Sequence, residues 1–134
     1  MNASAAMQQY RQNYIHGGAE TASPHRLVQM LMEGALDKIR ASKGFMASKD
    51  IAKKGENISW AISIIDGLRS CLNVEAGGDF ATNLSALYNY METRLVEANM
   101  KDDPEMLDEV AQLLLQVKAG WDAIPPEHHN TTNN

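Results

Sequence analysis

Residues 23–39, SPHRLVQMLMEGALDKI, combine a helix's opening signal with one face of apolar side chains, and the rest of the chain repeats that pattern. Ser23 offers a hydroxyl oxygen to the unbonded amides of a first turn, and Pro24 occupies the first helical position, where its missing N–H costs nothing. Leu27, Met30, Leu31, Gly34, Ala35 and Ile39 then recur at spacings of three and four, which predicts a helix with one buried face. Glycine inside a helix costs about 1 kcal/mol relative to alanine, so Gly34 within the stripe marks a close approach between helices. Gly44 weakens the pattern before the next loop.

Downstream, Asp50 is the expected cap of a second helix running through Leu72, with Ile58, Ala61, Ile62, Ile65, Leu68 and Leu72 on one face. Ala76, Gly77, Gly78 and Asp79 predict a turn, with Asp79 capping the third helix. Leu84, Leu87, Tyr88, Met91, Leu95 and Ala98 form a third stripe, and residues 99–102 the next turn. Asp103, Pro104 and Glu105 repeat the cap, proline and acidic first turn. Met106, Leu107, Val110, Leu113, Leu114, Val117 and Trp121 complete a fourth, which Pro125 and Pro126 end. Four helices joined by short turns predict an all-α chain: an antiparallel up-down-up-down four-helix bundle over residues 23–125. A short N-terminal arm, partly mobile, covers residues 1–22, and residues 126–134 are too polar to order themselves.

Composition removes several functional classes. The 134 residues are 44% hydrophobic, enough for one domain with a real core. With 17 acidic against 12 basic residues there is no electrostatic footprint for nucleic acid. No apolar run approaches the ~20 residues of a membrane span, and residues 1–14 lack the apolar stretch of a signal peptide, so the expected location is the cytoplasm. The single cysteine, Cys71, reads as a small buried helix residue. His128 and His129 sit in the tail without a patterned carboxylate, so no metal is expected. His16 and His25 have no Ser, Cys or Asp partner at a catalytic spacing, no Glu-x-x-His repeat supports a di-iron site, and Gly77-Gly78 lacks the lysine of a phosphate loop. The reading is of a non-enzyme without a cofactor that binds another protein.

An excess of apolar positions points the same way. Val28, Met32 and Leu36 form a second row on helix one, Trp60 and Ile64 lie off the main face of helix two, and Tyr90 and Leu115 do so on helices three and four. Either the helices bury a wide arc or these residues line an exposed groove that takes an amphipathic helix. Eight methionines suit an adaptable contact surface. In the arm, Met7, Tyr10, Tyr14 and Ile15 are apolar at helical spacing, and such a segment could cover a groove until a partner arrives.

Residues 23–36, SPHRLVQMLMEGAL, resemble the opening signature of the flagellin-specific export chaperones, the FliS family. Lys54-Gly55 with Ala61 to Leu68 resembles that family's second helix; Gly77-Gly78, Asn83-Leu84, Leu87 to Met91 and Arg94 to Asn99 resemble its third; and Trp121 stands near the end of its fourth. The resemblance covers about residues 8–125. Trp60, Met32 and Asn89 depart from the family pattern, which bears on partner preference. The resemblance implies a cytoplasmic bundle that holds the C-terminal segment of flagellin, prevents premature polymerisation and presents the subunit to the flagellar type III export apparatus. It also implies contact with the cytoplasmic domain of the export gate and, in some members, with an anti-sigma factor. The expected contacts on this chain are Tyr10, Ile58, Ile62, Ile65, Leu68, Leu87, Tyr88 and Leu95, in a one-to-one complex of a monomer. The alternatives are a homodimerising helical scaffold and a chaperone for a different export substrate.

Overall fold

The computed structural model describes residues 23–126. These described residues form four helices: α1 (Pro24–Ala47), α2 (Ile51–Ser70), α3 (Val74–Lys101) and α4 (Pro104–Asp122). Every helix opens on a side-chain cap. Ser23 Oγ accepts from the Arg26 amide at 3.1 Å, Asp50 Oδ1 from Lys53 at 3.2 Å, Asn73 Oδ1 from Ala76 at 3.0 Å and Asp103 Oδ1 from Glu105 at 3.0 Å. Pro24 and Pro104 each sit in the first turn of their helix.

Short connectors reverse the chain each time, each helix packs on its sequence neighbour, and α4 packs back on α1, giving the expected antiparallel four-helix bundle. The reversal is visible in side-chain ties. Gln29 near the start of α1 donates to Asp122 at the end of α4 at 2.6 Å, and Lys43 near the end of α1 pairs with Asp108 near the start of α4 at 3.0 Å.

The boundaries differ from expectation in three places. α1 continues through Gly44 to Ala47, and α2 stops at Ser70 rather than Leu72. Asn73, not Asp79, caps α3, because its side chain reaches the Ala76 amide and opens the helix six residues earlier. The expected break survives as a kink inside α3: Gly78 has φ 58° and ψ −139°, a conformation open to glycine and costly for other residues. Gly77 is held for a different reason, since a Cβ there would lie 2.6 Å from the Ala81 Cβ.

The core takes Leu31, Met32, Ala35, Leu36 and Ile39 from α1, and Ile58, Ala61, Ile64, Ile65 and Leu68 from α2. Tyr88, Met91, Leu95 and Ala98 join from α3, and Leu107, Val110 and Leu114 from α4. Leu36 and Ile64 are therefore core residues and not spare surface, while Met32 is buried in the core at its edge. α1 faces both α2 and α4, so its buried arc is wider than one stripe. Ile62, on the expected main face of α2, is only half-buried at the edge of the core.

Two charged ties hold α2 to α3. Lys54 has a side chain only 6% exposed; its ammonium donates to the Asn99 carbonyl at 3.1 Å and to the carboxylate of Asp102, whose left-handed backbone (φ 50°) ends α3. Three donors on a buried ammonium need such partners. Farther along, Arg69 pairs with Asp66 on its own helix and reaches Glu92 at 3.3 Å, an ion pair whose geometry falls short of a hydrogen bond. Burial, reinforced by the charge of Asp66 and opposed by Arg69, pushes the Glu92 carboxyl up to about 7.

A raised carboxyl pKa means that the folded protein binds the Glu92 proton more tightly than the unfolded chain does. This site's contribution is then fully present below about pH 4.5 and is lost as pH rises through about 7. Urea melts of wild type and Glu92→Gln across pH 5 to 8 check this. The stability difference between them should move in favour of the variant as pH rises; a difference that stays flat would contradict the shift.

Candidate partner-binding groove

The up-down-up-down order brings the start of α1, the end of α2, the start of α3 and the end of α4 to one end of the bundle. There the helices enclose a cleft of about 750 Å³. Its floor is the edge of the core, with Met32, Leu68 and Tyr88 all buried. Its walls are half-buried: Val28 from α1, Leu84 and Leu87 from α3, and Val117 and Trp121 from α4. The amides of Asn73, Asn83 and Gln116 supply hydrogen-bonding groups, and no Asp, Glu, Lys or Arg lines the cleft among the described residues. An apolar cleft with a few neutral polar groups suits the apolar face of a peptide helix, whose remaining backbone and polar groups stay in water.

One wall is pinned across the bundle. The Trp121 indole N–H donates to the His25 carbonyl at 2.9 Å, and its ring stacks on the buried His25 imidazole with centroids 4.9 Å apart and planes 8° from parallel. The last turn of α4 is thereby tied to the first turn of α1, which sets the width of the cleft on that side. Burial pushes the Tyr88 phenol far above its ordinary range, so the floor carries no charge at neutral pH.

Cys71 departs from expectation. It is an exposed residue at the C-terminal cap of α2 on the border of the cleft, because α2 ends two residues early. Burial of its thiol nevertheless pushes the pKa up, which disfavours the nucleophilic thiolate. Among the described residues no group of three His, Cys, Asp or Glu side chains is placed to hold a metal, and no helix is long and apolar enough to cross a membrane. His16, His128 and His129 lie outside the described residues.

The contacts expected from sequence fall into separate places. Leu68, Leu87 and Tyr88 line the cleft. Ile58, Ile65 and Leu95 are at most 1% exposed in the core, away from the cleft. Ile62 lies elsewhere on α2, beside Glu56, Ser59, Trp60 and Ser63 in a shallow depression of about 440 Å³. Tyr10 lies outside the described residues. Sequence reasoning missed Phe80, which lines the cleft. The signal was present, since Phe80 precedes Leu84 by four and Leu87 by seven and so shares their face, but the expected stripe begins at Leu84.

The described residues thus form an all-α bundle with an apolar cleft at one end whose lining holds no Asp, Glu, Lys or Arg. The family model of the flagellar protein FliS matches residues 6–128. A flagellar secretion chaperone FliS of Vibrio cholerae is 44% identical over 127 residues, covering 95% of this chain and 93% of the relative. The flagellar secretion chaperone FliSB of Pseudomonas aeruginosa is 50% identical over 124 residues, covering 92% and 98%. A Salmonella typhimurium relative, also a flagellar secretion chaperone FliS, is 39% identical with 95% of each chain covered. The chain belongs to the FliS family of flagellar secretion chaperones, which is non-enzymatic.

Proposed function

We propose that this protein binds the C-terminal segment of flagellin in the bacterial cytoplasm, keeps it from polymerising prematurely, and delivers it to the flagellar type III export apparatus. The observation that carries the reading is the uncharged apolar cleft at one end of the bundle, in a chain of this family. A flagellin tail that is disordered alone gains its helical order by burying apolar side chains there, and the entropy cost of ordering keeps the complex releasable. One chaperone holds one flagellin. The cytoplasmic domain of the export gate, and an anti-sigma factor, are further partners in this proposal, and the arm around Tyr10 shares in closing the apolar surface.

Titration calorimetry with a flagellin C-terminal peptide from the same genome tests it. Expected are one-to-one stoichiometry, a large negative heat-capacity change, and a changed affinity when residues 1–15 are deleted. Because the cleft lining is uncharged, raising salt from about 0.05 to 0.5 M should alter affinity by no more than about threefold. Absence of heat at concentrations on the order of 10 μM would remove the flagellin assignment. Sedimentation velocity separates the scaffold alternative, which requires a concentration-dependent dimer of the chain alone. Competition between flagellin and another export substrate separates the third reading.

A further inference from the structure

Phe80 is 77% exposed, and it is the one large, mostly exposed apolar side chain among the described residues that line the cleft. The other residues of its stripe behave differently: Leu84 and Leu87 are half-buried and Tyr88 is buried. Its position results from the break at Gly78, after which the helix restarts and carries Phe80 in its first turn, at the cleft but clear of the core. An aromatic ring held in water beside an apolar cleft has area to bury only when something else fills that cleft.

We propose that Phe80 closes over the occupant of the cleft and selects for a bulky apolar side chain beneath its ring. The inference rests on the flagellin reading above and specifies the contact: the bound segment seats one large aliphatic or aromatic side chain between the Phe80 ring and the wall formed by Leu84, Leu87 and Trp121. The lining disfavours a charged residue at that position, because it holds no Asp, Glu, Lys or Arg to offset the desolvation. The Gly78 conformation is the device that holds the ring at the cleft, since any Cβ at φ 58° and ψ −139° is strained and a relaxed backbone there would redirect the first turn.

The sequence contains two phenylalanines, Phe45 and Phe80, so labelling with 4-fluorophenylalanine gives two fluorine resonances, assigned with Phe45→Leu. Phe45 is near the end of α1 at the opposite end of the bundle, with the Lys53 ammonium 5.6 Å from its ring, and serves as the internal reference. Spectra in H2O and D2O, with and without the flagellin C-terminal peptide, read ring exposure directly. Expected is a full solvent-isotope shift for free Phe80 that collapses on saturation, while Phe45 is unchanged. Phe80→Ala should weaken peptide binding by about tenfold or more with an unchanged melting midpoint, and Phe80→Leu should restore part of the loss. A peptide that binds wild type while Phe80 keeps its full isotope shift and Phe80→Ala binds equally overturns this inference alone. A peptide that does not bind wild type overturns the flagellin reading and this inference with it.

Discussion

Leu87→Asp is expected to lower affinity for the flagellin C-terminal segment by at least about 100-fold while leaving the bundle folded. One hundredfold corresponds to about 2.7 kcal/mol. Leu87 is a half-buried wall of the cleft, in a lining that holds no Lys or Arg among the described residues. In the free protein a carboxylate there remains hydrated, because the cleft is open. When an apolar segment docks, that water must leave, and no cation compensates the stranded charge, so the cost falls almost entirely on the complex. Calorimetric affinity together with a urea melt separates the two effects. Binding within about threefold of wild type would place the flagellin site elsewhere on the bundle.

Ile65→Ala is expected to do the reverse. Ile65 has no exposed surface and packs in the core where the helices meet. Removing its branched side chain deletes apolar burial and leaves a cavity that a packed bundle fills only in part, at a cost of about 3–4 kcal/mol. A domain of this size is stable by roughly 5–15 kcal/mol, so the variant remains folded but loses on the order of 15 °C in melting midpoint. Its peptide affinity, measured well below that midpoint, should stay within about threefold of wild type, because Ile65 does not line the cleft. A larger loss of affinity with little loss of stability would return Ile65 to the contact set.

The contrast between these two variants shows how the cleft escapes a reading of periodicity. Leu87 and Ile65 both belong to stripes at spacings of three and four, and a stripe states only which residues share a face. Ile58, Ile65 and Leu95 fall where that face meets another helix, whereas Leu87 falls where the facing helices leave a gap. Met32, Leu68 and Tyr88 do both, as buried residues that form the cleft floor. Cap geometry misled in a similar way. Asn73 and Asp79 are both good caps by residue type, and the one used was decided by where α2 ended. The early end of α2 left Cys71 exposed on the border of the cleft, and the break at Gly78 set Phe80 in the first turn that follows it.

By itself the sequence determined the four helices of the described residues, their order and their antiparallel sense, because caps, prolines and apolar spacing are local and short connectors permit little else. Its motifs also placed the chain among the flagellar secretion chaperones. Only the tertiary structure decided which apolar residues are core and which are cleft, that Leu36 and Ile64 are consumed by packing, and that Phe80 stands open beside an apolar cleft. The physical reason is that helix amphipathicity is a property of one segment, while burial depends on how closely its neighbours approach. A residue's spacing is written in the chain, but the gap in front of it exists only after four helices have packed.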